Sequence, residues 1–521
     1  MKKSLPDPSE EQIAIMLSVQ DNPTTIVEAG PGCAKSTTIR LSIASNPIAN
    51  RTSTYVFAFN KDIVAELKSL VPAGVTVTTL NSFGLGLWRK HIGRMPTLNT
   101  KKTREIIKSI ADSDNRWSIV PEEYDPLMNL VKFAKSQGYT PPGAPKVPGA
   151  PDFDTLCSLA DVRPEKHYEK LLGIILNLTI TKAFDGELDF DDQVYIPSLL
   201  APTEVFPKVS FHYVDEAQDL SPIQLRLVGR CKAERLCIVG DPLQAIYAFR
   251  GAMSDAFDQI HATWPNAVTL PLQTTYRIPQ KVLKELQGHN PALVSAKPLE
   301  GTVESPSDTR TMSEWIGFYL PHPEASVAML CRNNAPLYRA ALACIADQTP
   351  FNIRDNGWGF AILRDLKKVC GKRMRVEDIP EALASFWLFE FMKPAQEAAV
   401  MDKITTLIAC SDGLENSGEL YDRLEGLLNK VNESQAAKPL HLATAHKAKG
   451  MEYDLVFHLD PQLIPSPNAK TVDDLQQEAN IQYVLNSRTR DTLVFLVSPQ
   501  ILIPSTPAAR SRPSIKERQR L

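Results

Sequence analysis

Short apolar runs recur along the chain, each closed by turn residues and most followed by a stretch with helical spacing. In the first half they are Thr25–Glu28, Tyr55–Phe59, Val75–Thr79, Phe211–Asp215, Leu236–Gly240 and Val268–Leu270. Such runs, apolar throughout rather than alternating, predict strands covered on both faces, as in a parallel sheet. A later set, Ser326–Leu330, Leu440–Thr444, Leu455–His458 and Thr492–Val497, predicts a second sheet. Between Phe83 and Asp189 the spacing turns helical, interrupted by Pro141-Pro142-Gly143-Ala144-Pro145 and Pro148-Gly149-Ala150-Pro151, which predicts a helical insertion with a surface linker. Residues 356–437 again read as helical, with amphipathic spacing at Ile404–Ile408 and Leu420–Val431. The fold class expected is α/β, with two parallel-sheet domains that each carry a mainly helical insertion.

Composition narrows the chemistry only slightly. At 521 residues there is ample volume for several cores. A net charge of -3 provides no global basic field, so any nucleic-acid binding has to come from a local groove. The eight cysteines are scattered without a C-x-x-C pair or metal-ligand spacing, which predicts reduced thiols. With no apolar leader and no run of about 18 apolar residues, a soluble, cytoplasmic protein is expected. Residues 506–521 are basic and poor in apolar side chains, which reads either as a disordered tail or as an auxiliary phosphate-binding arm.

Two segments carry the chemistry. Ala29-Gly30-Pro31-Gly32-Cys33-Ala34-Lys35-Ser36 follows the strand-like Ile26-Val27-Glu28 and precedes a helical pattern over Ser36–Ile43. Small residues there let backbone N–H groups close around phosphate at a helix N-terminus, with Lys35 as cation for the β/γ-phosphates and Ser36 as a Mg²⁺ ligand. Ala34 stands where glycine is usual, and its methyl is compatible with that approach only at negative φ. Far downstream, Val214-Asp215-Glu216-Ala217-Gln218-Asp219 ends an apolar run. Asp215 is expected to hold the Mg²⁺ shell and Glu216 to orient the attacking water, with Gln218 and Asp219 placed to couple the site to neighbouring segments.

With these two in place, the order of further segments resembles the superfamily 1A DNA helicases of the UvrD/Rep type over most of the chain. Gln12, after Pro8-Ser9-Glu10-Glu11, looks like the adenine-reading glutamine. Phe57-Ala58-Phe59-Asn60-Lys61 and Thr78-Thr79-Leu80-Asn81-Ser82-Phe83-Gly84 resemble segments that grip single-stranded DNA, with Asn81 where the family usually has histidine. Asp189-Phe190-Asp191-Asp192 resembles a short acidic segment before the Mg²⁺-binding strand. The stretch from Val239 to Gly251 is close to the family's coupling motif: Gln244 senses the γ-phosphate, while Tyr247, Phe249 and Arg250 contact the strand, Phe249 replacing a tryptophan. Thr275-Tyr276-Arg277 implies adenine stacking by Tyr276 and a γ-phosphate contact from Arg277. Thr444-Ala445-His446-Lys447-Ala448-Lys449-Gly450-Met451-Glu452 implies DNA contacts from Thr444 and His446 and a ribose contact from Glu452. Residues 478–490 resemble the last motif, with Arg488 as the arginine finger.

The resemblance implies two RecA-like motor domains, the first from 1–85 and 186–274 with insertion 86–185, the second from 275–355 and 438–505 with a reduced insertion 356–437. ATP and Mg²⁺ are the implied cofactors, bound through Gln12, Ala29, Gly30, Gly32, Ala34, Lys35, Ser36, Thr37, Tyr276 and Glu452. Catalysis falls to Lys35, Asp215, Glu216, Gln244, Arg277 and Arg488, and strand binding to Phe59, Asn60, Lys61, Thr79, Phe83, Tyr247, Phe249, Arg250, Thr444 and His446. The implied activity is ATP-driven 3′ to 5′ translocation on single-stranded DNA with duplex unwinding, coupled to closure of the motor domains. Thr37 replaces an arginine common in relatives, so base specificity is expected to rest on Gln12 and Tyr276. The short second insertion motivates a rival, a DNA-stimulated ATPase that remodels nucleoprotein complexes without unwinding. Ala34 motivates another, a binding-only module. An RNA strand fits the same residues, and the short stretch after residue 490 predicts no fused nuclease.

Overall fold

The computed structural model describes residues 5–113, 119, 123–247, 251–253, 255–305, 325–346, 348–354, 357–387, 394–433 and 439–497. They divide into two compact units, one of residues 1–301 with 471–487, the other of 302–470 with 488–521. The tail expected at 506–521 lies outside the described residues.

The first unit is built on strands β1 (Thr24–Ala29), β2 (Thr54–Phe57), β3 (Thr76–Thr78), β4 (Val209–Val214), β5 (Ala233–Gly240) and β6 (Val268–Leu272), in the order β3-β2-β4-β5-β1-β6. Every pairing is parallel. Register aligns Phe57 with Val214, Val214 with Ile238, and Glu28 with Gly240. The carboxyl ends of β2, β4, β5 and β1 therefore share one edge, the place where ligands bind in open parallel sheets.

Helices α1 (Glu10–Asp21), α2 (Lys35–Ser45), α3 (Lys61–Leu70) and α4 (Leu80–Ile92) belong to the first part of this unit. The insertion contributes α5 (Lys102–Ser113), α6 (Tyr124–Gln137), α7 (Phe153–Leu159) and α8 (Lys166–Phe184), and α9 (Asp192–Leu200) leads back toward the sheet. The Pro/Gly-rich stretch 138–152 is irregular, as its composition predicts. One core runs from Ile26 and Phe57 on the sheet through Trp88 to Leu127 and Leu172 in the insertion.

A buried charge cluster ties the insertion to the acidic segment before α9. Lys102 Nζ lies 2.7 Å from Asp192 Oδ2, and Lys135 Nζ lies 2.6 Å from Asp189 Oδ2 and 2.8 Å from Asp192 Oδ1. Lys102 also donates to the Thr179 and Glu187 carbonyls, and Thr103 Oγ1 donates to Asp189. Charges this deep persist only when paired and hydrogen-bonded.

The second unit has strands β7 (Thr302–Glu304), β8 (Val327–Cys331), β9 (Phe351–Ile353), β10 (Leu440–Thr444), β11 (Tyr453–Leu459) and β12 (Thr489–Leu496), again all parallel, in the order β7-β12-β11-β8-β10-β9. Helices within 358–433 bury Leu366, Leu383, Leu407 and Leu424 in the same core as Met329, Leu442 and Phe457 of the sheet. The two units are thus RecA-like parallel α/β bodies, each with helices continuous with its core.

Two segments stand elsewhere than the expected boundaries. Residues 275–301 and 471–487 belong to the first unit. Thr275 Oγ1 donates to Pro31 O at 2.7 Å, and Asn480 Nδ2 donates to Ala245 O at 3.0 Å, so both segments hydrogen-bond within that unit. Strands β7 and β9, three residues each at the sheet margins, have no counterpart among the apolar runs. All eight cysteines are free and buried, and no helix among the described residues is long and apolar enough to cross a membrane.

Candidate nucleotide site and nucleic-acid face

Beyond Ala29 the chain leaves β1 and makes a tight loop before α2 begins at Lys35. Gly30 N donates to Leu272 O at 2.9 Å, and a Cβ at Gly30 would stand 2.5 Å from Leu293 Cδ1. Gly32 has φ +71, and its Cβ would meet Arg277 Cβ at 2.5 Å and Thr275 Oγ1 at 2.7 Å. Its carbonyl accepts the Tyr276 N–H at 3.0 Å. The loop is therefore clamped by Thr275–Arg277, and only glycine fits between them.

Ala34 corrects one expectation. Its φ is 60 and ψ 39, left-handed rather than negative, because the chain must reverse there to open α2. A methyl-bearing residue is strained in that region by roughly 1–2 kcal/mol, which glycine avoids at some entropic cost. Ala34→Gly is expected to raise thermal stability by about 0.5–1 kcal/mol without lowering ATP turnover, read by thermal melting and steady-state hydrolysis.

The edge gathers one ammonium and three carboxylates. Burial pulls the Lys35 pKa down, but Glu216, Asp241 and Asp215 outweigh it and leave the ammonium above its ordinary value. Burial first, then the Glu216 charge, push Asp215 up to about 7 against the pull of Lys35. Asp241 is likewise raised, mainly by burial. Ser36 Oγ lies 3.5 Å from Asp215 Oδ2, and Gln244 Nε2 donates to Asp241 Oδ2 at 2.5 Å.

Among the described residues no cluster of three or more His, Cys, Asp or Glu could hold a metal by itself. One hydroxyl, one carboxylate and a surplus of negative charge fit a magnesium ion that keeps waters and takes phosphate oxygens. Glu216 has φ 53, a strained conformation of the kind that collects at functional sites. Asp241 carried no role in the sequence reading. Its position directly after Gly240, at the end of β5, is the signal that points to it.

Other expected nucleotide contacts are partly committed already. Gln12 closes the capping box of α1 with Ser9, and its Nε2 donates to Thr38 Oγ1 at 2.9 Å on α2. Thr38 in turn donates to Ala34 O at 3.1 Å. Thr37 is half-buried on α2, and the Tyr276 side chain is exposed beside the loop. Arg277 donates to Ser487 O at 3.4 Å and stands in the first unit, not the second. In the second unit, Arg488 is buried with Nη1 3.5 Å from Met451 O, and Glu452 pairs with Arg490 at 3.1 Å. Thr444 precedes the one-turn helix Ala445–Ala448 that carries His446.

On the same edge of the first sheet the Phe59 and Tyr247 rings stack, centroids 5.7 Å apart and planes within 10°. Phe59 is exposed and Tyr247 buried, so Phe59 presents the open face. Asn60 Oδ1 caps α3 through the Ile63 N–H, leaving Lys61 exposed on the first turn. Thr79 Oγ1 caps α4 through the Ser82 N–H and donates to Ser82 Oγ. A narrow crevice runs from Phe59 and Asn81 to Asp215 and Glu216. Asn81 Nδ2 donates to Phe190 O at 2.9 Å, joining this face to the acidic segment.

The Phe83 ring packs inward, buried against Phe57 at 4.8 Å and Tyr55 at 6.1 Å within the core. α4 turns this residue inward while Thr79 stays at the rim. Phe249 and Arg250 lie outside the described residues.

Comparison with known proteins adds independent findings. The model of the UvrD/REP helicase N-terminal domain matches residues 9–265, and that of the UvrD-like helicase C-terminal domain matches residues 363–500. The F-box DNA helicase protein 1 of Schizosaccharomyces pombe is 27% identical over 345 residues, 63% of this chain and 38% of that protein. The ATP-dependent DNA helicase UvrD2 of Mycobacterium tuberculosis is 27% identical over 359 residues, 58% of this chain and 50% of that protein. The chain thus matches half or less of the length of these relatives. Among solved structures, arterivirus nonstructural protein 10 (helicase) covers 92% of this chain and 61% of its own at 10% identity, with a TM-score of 0.32, too weak a likeness to bear on the fold.

Proposed function

The chain belongs to the UvrD/Rep helicase family, and we propose that this protein is an ATP-dependent helicase that moves 3′ to 5′ on single-stranded DNA. The observation that carries this reading is the shared sheet edge, where Lys35, Ser36, Asp215 and Glu216 meet the phosphate loop and the Phe59–Tyr247 stack lies close by. Relatives at comparable identity are named as ATP-dependent DNA helicases.

In this reading the backbone N–H groups at the start of α2 and the Lys35 ammonium bind the β- and γ-phosphates. Magnesium, held by Ser36 and Asp215, would neutralise charge on the transferring phosphoryl group. Glu216 orients the attacking water and accepts its proton. Gln244 and Arg277 contact the γ-phosphate, Arg488 serves as the arginine finger, and Gln12, Tyr276 and Glu452 hold the nucleoside. Phe59 and Tyr247 stack on bases, while Asn60, Lys61, Thr79, Thr444 and His446 take the backbone. Stacking is worth about 1–3 kcal/mol per base, so Phe59→Ala is expected to weaken strand binding by about 5- to 150-fold, read by fluorescence anisotropy.

The test is ATP hydrolysis with and without single-stranded DNA and RNA, followed by separation of a forked duplex with a 3′ tail. DNA-stimulated turnover with strand separation is expected, and affinity that falls steeply with salt. Turnover indifferent to any strand sinks the reading. The shortness of the second insertion, residues 356–437, gives the rival its footing. Stimulated turnover without separation at either fork polarity favours that rival, a remodelling ATPase.

A further inference from the structure

Strands β4 and β5 are neighbours, and one buried side chain joins the segments that follow them. Gln218, fully buried in the short turn Ala217–Asp219, donates from Nε2 to Glu216 Oε2 at 2.5 Å. Its Oε1 accepts the Asp241 N–H at 3.0 Å. Asp241 then takes the Leu243 N–H on Oδ1 at 3.1 Å and Gln244 Nε2 on Oδ2 at 2.5 Å. Gly240 makes the room: a Cβ there would stand 2.5 Å from Gln218 Oε1 and 3.0 Å from Ala217 N.

Only an amide fits both partners. A carboxylate at 218 would face the Glu216 carboxylate, an ammonium could not accept from Asp241, and a flipped amide would set donor against donor and acceptor against acceptor. The orientation of Gln218 is therefore dictated from both ends. Glu216 needs such a guide, because the last torsion of a glutamate side chain is broad and a water-orienting oxygen must hold its aim. The other end of the chain of bonds is the segment 241–247, which finishes at Tyr247 stacked on Phe59.

We propose that Gln218 is a positioning residue that makes the aim of Glu216 depend on the segment 241–247, and so transmits strand occupancy at Tyr247 to ATP hydrolysis. The inference rests on the reading of the chain as a strand-stimulated ATPase. A strand that shifts segment 241–247 by a fraction of an ångström moves the Asp241 N–H, the amide follows, and Glu216 Oε2 moves with it. The energetic content of such a link is a coupling between two residues, which a double-mutant cycle measures.

Gln218→Met keeps length and volume while removing both bonds. Steady-state turnover of the full chain is measured with and without oligo-dT, together with KM for ATP, strand Kd and thermal unfolding. Strand-stimulated kcat is expected to fall about 100-fold, and unstimulated kcat by much less, with KM and Kd within about twofold. Adding Tyr247→Ala to Gln218→Met should lower the stimulation factor no further. Gln218→Asn, an amide too short to span both partners, is expected to behave like Gln218→Met and serves if the methionine variant does not fold. A wild-type stimulation factor in either folded variant overturns the proposal, as does equal loss with and without strand, or full additivity with Tyr247→Ala. If the wild type itself shows no stimulation, the functional reading fails first and this inference falls with it.

Discussion

Glu216→Gln is expected to lower strand-stimulated ATP turnover by about 10²- to 10⁴-fold while leaving ATP and strand affinity close to wild type. Glutamine keeps the side-chain length and an oxygen able to accept from Gln218 Nε2, so the packing around residue 216 survives. What is lost is the proton acceptor and one negative charge beside Asp215 and Lys35. The loss should therefore appear in kcat rather than in KM. Lys35→Ala supplies the contrast, since it removes the cation among Glu216, Asp241 and Asp215 and should abolish nucleotide binding as well as turnover. Hydrolysis and nucleotide titration on the same preparations separate the two. Stimulated turnover intact in both variants would sink the catalytic assignment.

The second large effect concerns stability. Lys135→Met is expected to destabilise the first unit by about 3–5 kcal/mol, the cost of breaking a buried ion pair and leaving its partners uncompensated. Lys135 contacts both Asp189 and Asp192, and Lys102 alone would then face two buried carboxylates. Thermal melting of the full chain should show an early transition in this variant.

The same cluster sets a pH dependence. Burial by itself would raise the Asp189 carboxyl, but the Lys135 ammonium and hydrogen bonds from Asp192 N–H and Thr103 outweigh it and hold the group at about 2. A carboxyl whose folded pKa lies below its unfolded value contributes stability that is present above about 4 and is lost as pH falls toward 2. Wild type should therefore lose stability across that window, and Lys135→Met should lose less of it. Burial and the neighbouring Lys135 together lower Lys102, with Asp192 opposing them.

Local pattern was sufficient for much of this protein. Unbroken apolar runs declared the buried strands, since a parallel strand covered on both faces has no polar face to alternate. The loop at 29–36 and the carboxylates at 215 and 216 were legible because each lies in one contiguous stretch, and chemistry at a strand end depends on residues adjacent in sequence. Gln244 entered only through the resemblance of the stretch from Val239 to Gly251, not through local pattern. The three-residue strands β7 and β9 were not legible, because strands so short exist only through the neighbours that pair with them.

Only the tertiary structure decided what depends on partners distant in sequence. The positive φ of Ala34 belongs to a loop clamped by Thr275–Arg277, far along the chain, and no local rule sets its sign. Phe83 and Phe59 look alike in sequence, yet one fills the core and the other opens to solvent, since the face each presents depends on what covers the sheet. Lys102 and Lys135 have the look of surface lysines until Asp189 and Asp192 are folded against them. Gln218 gains its meaning from Asp241, a residue on the neighbouring strand end, because a hydrogen bond between strands is a fact of register and not of sequence spacing.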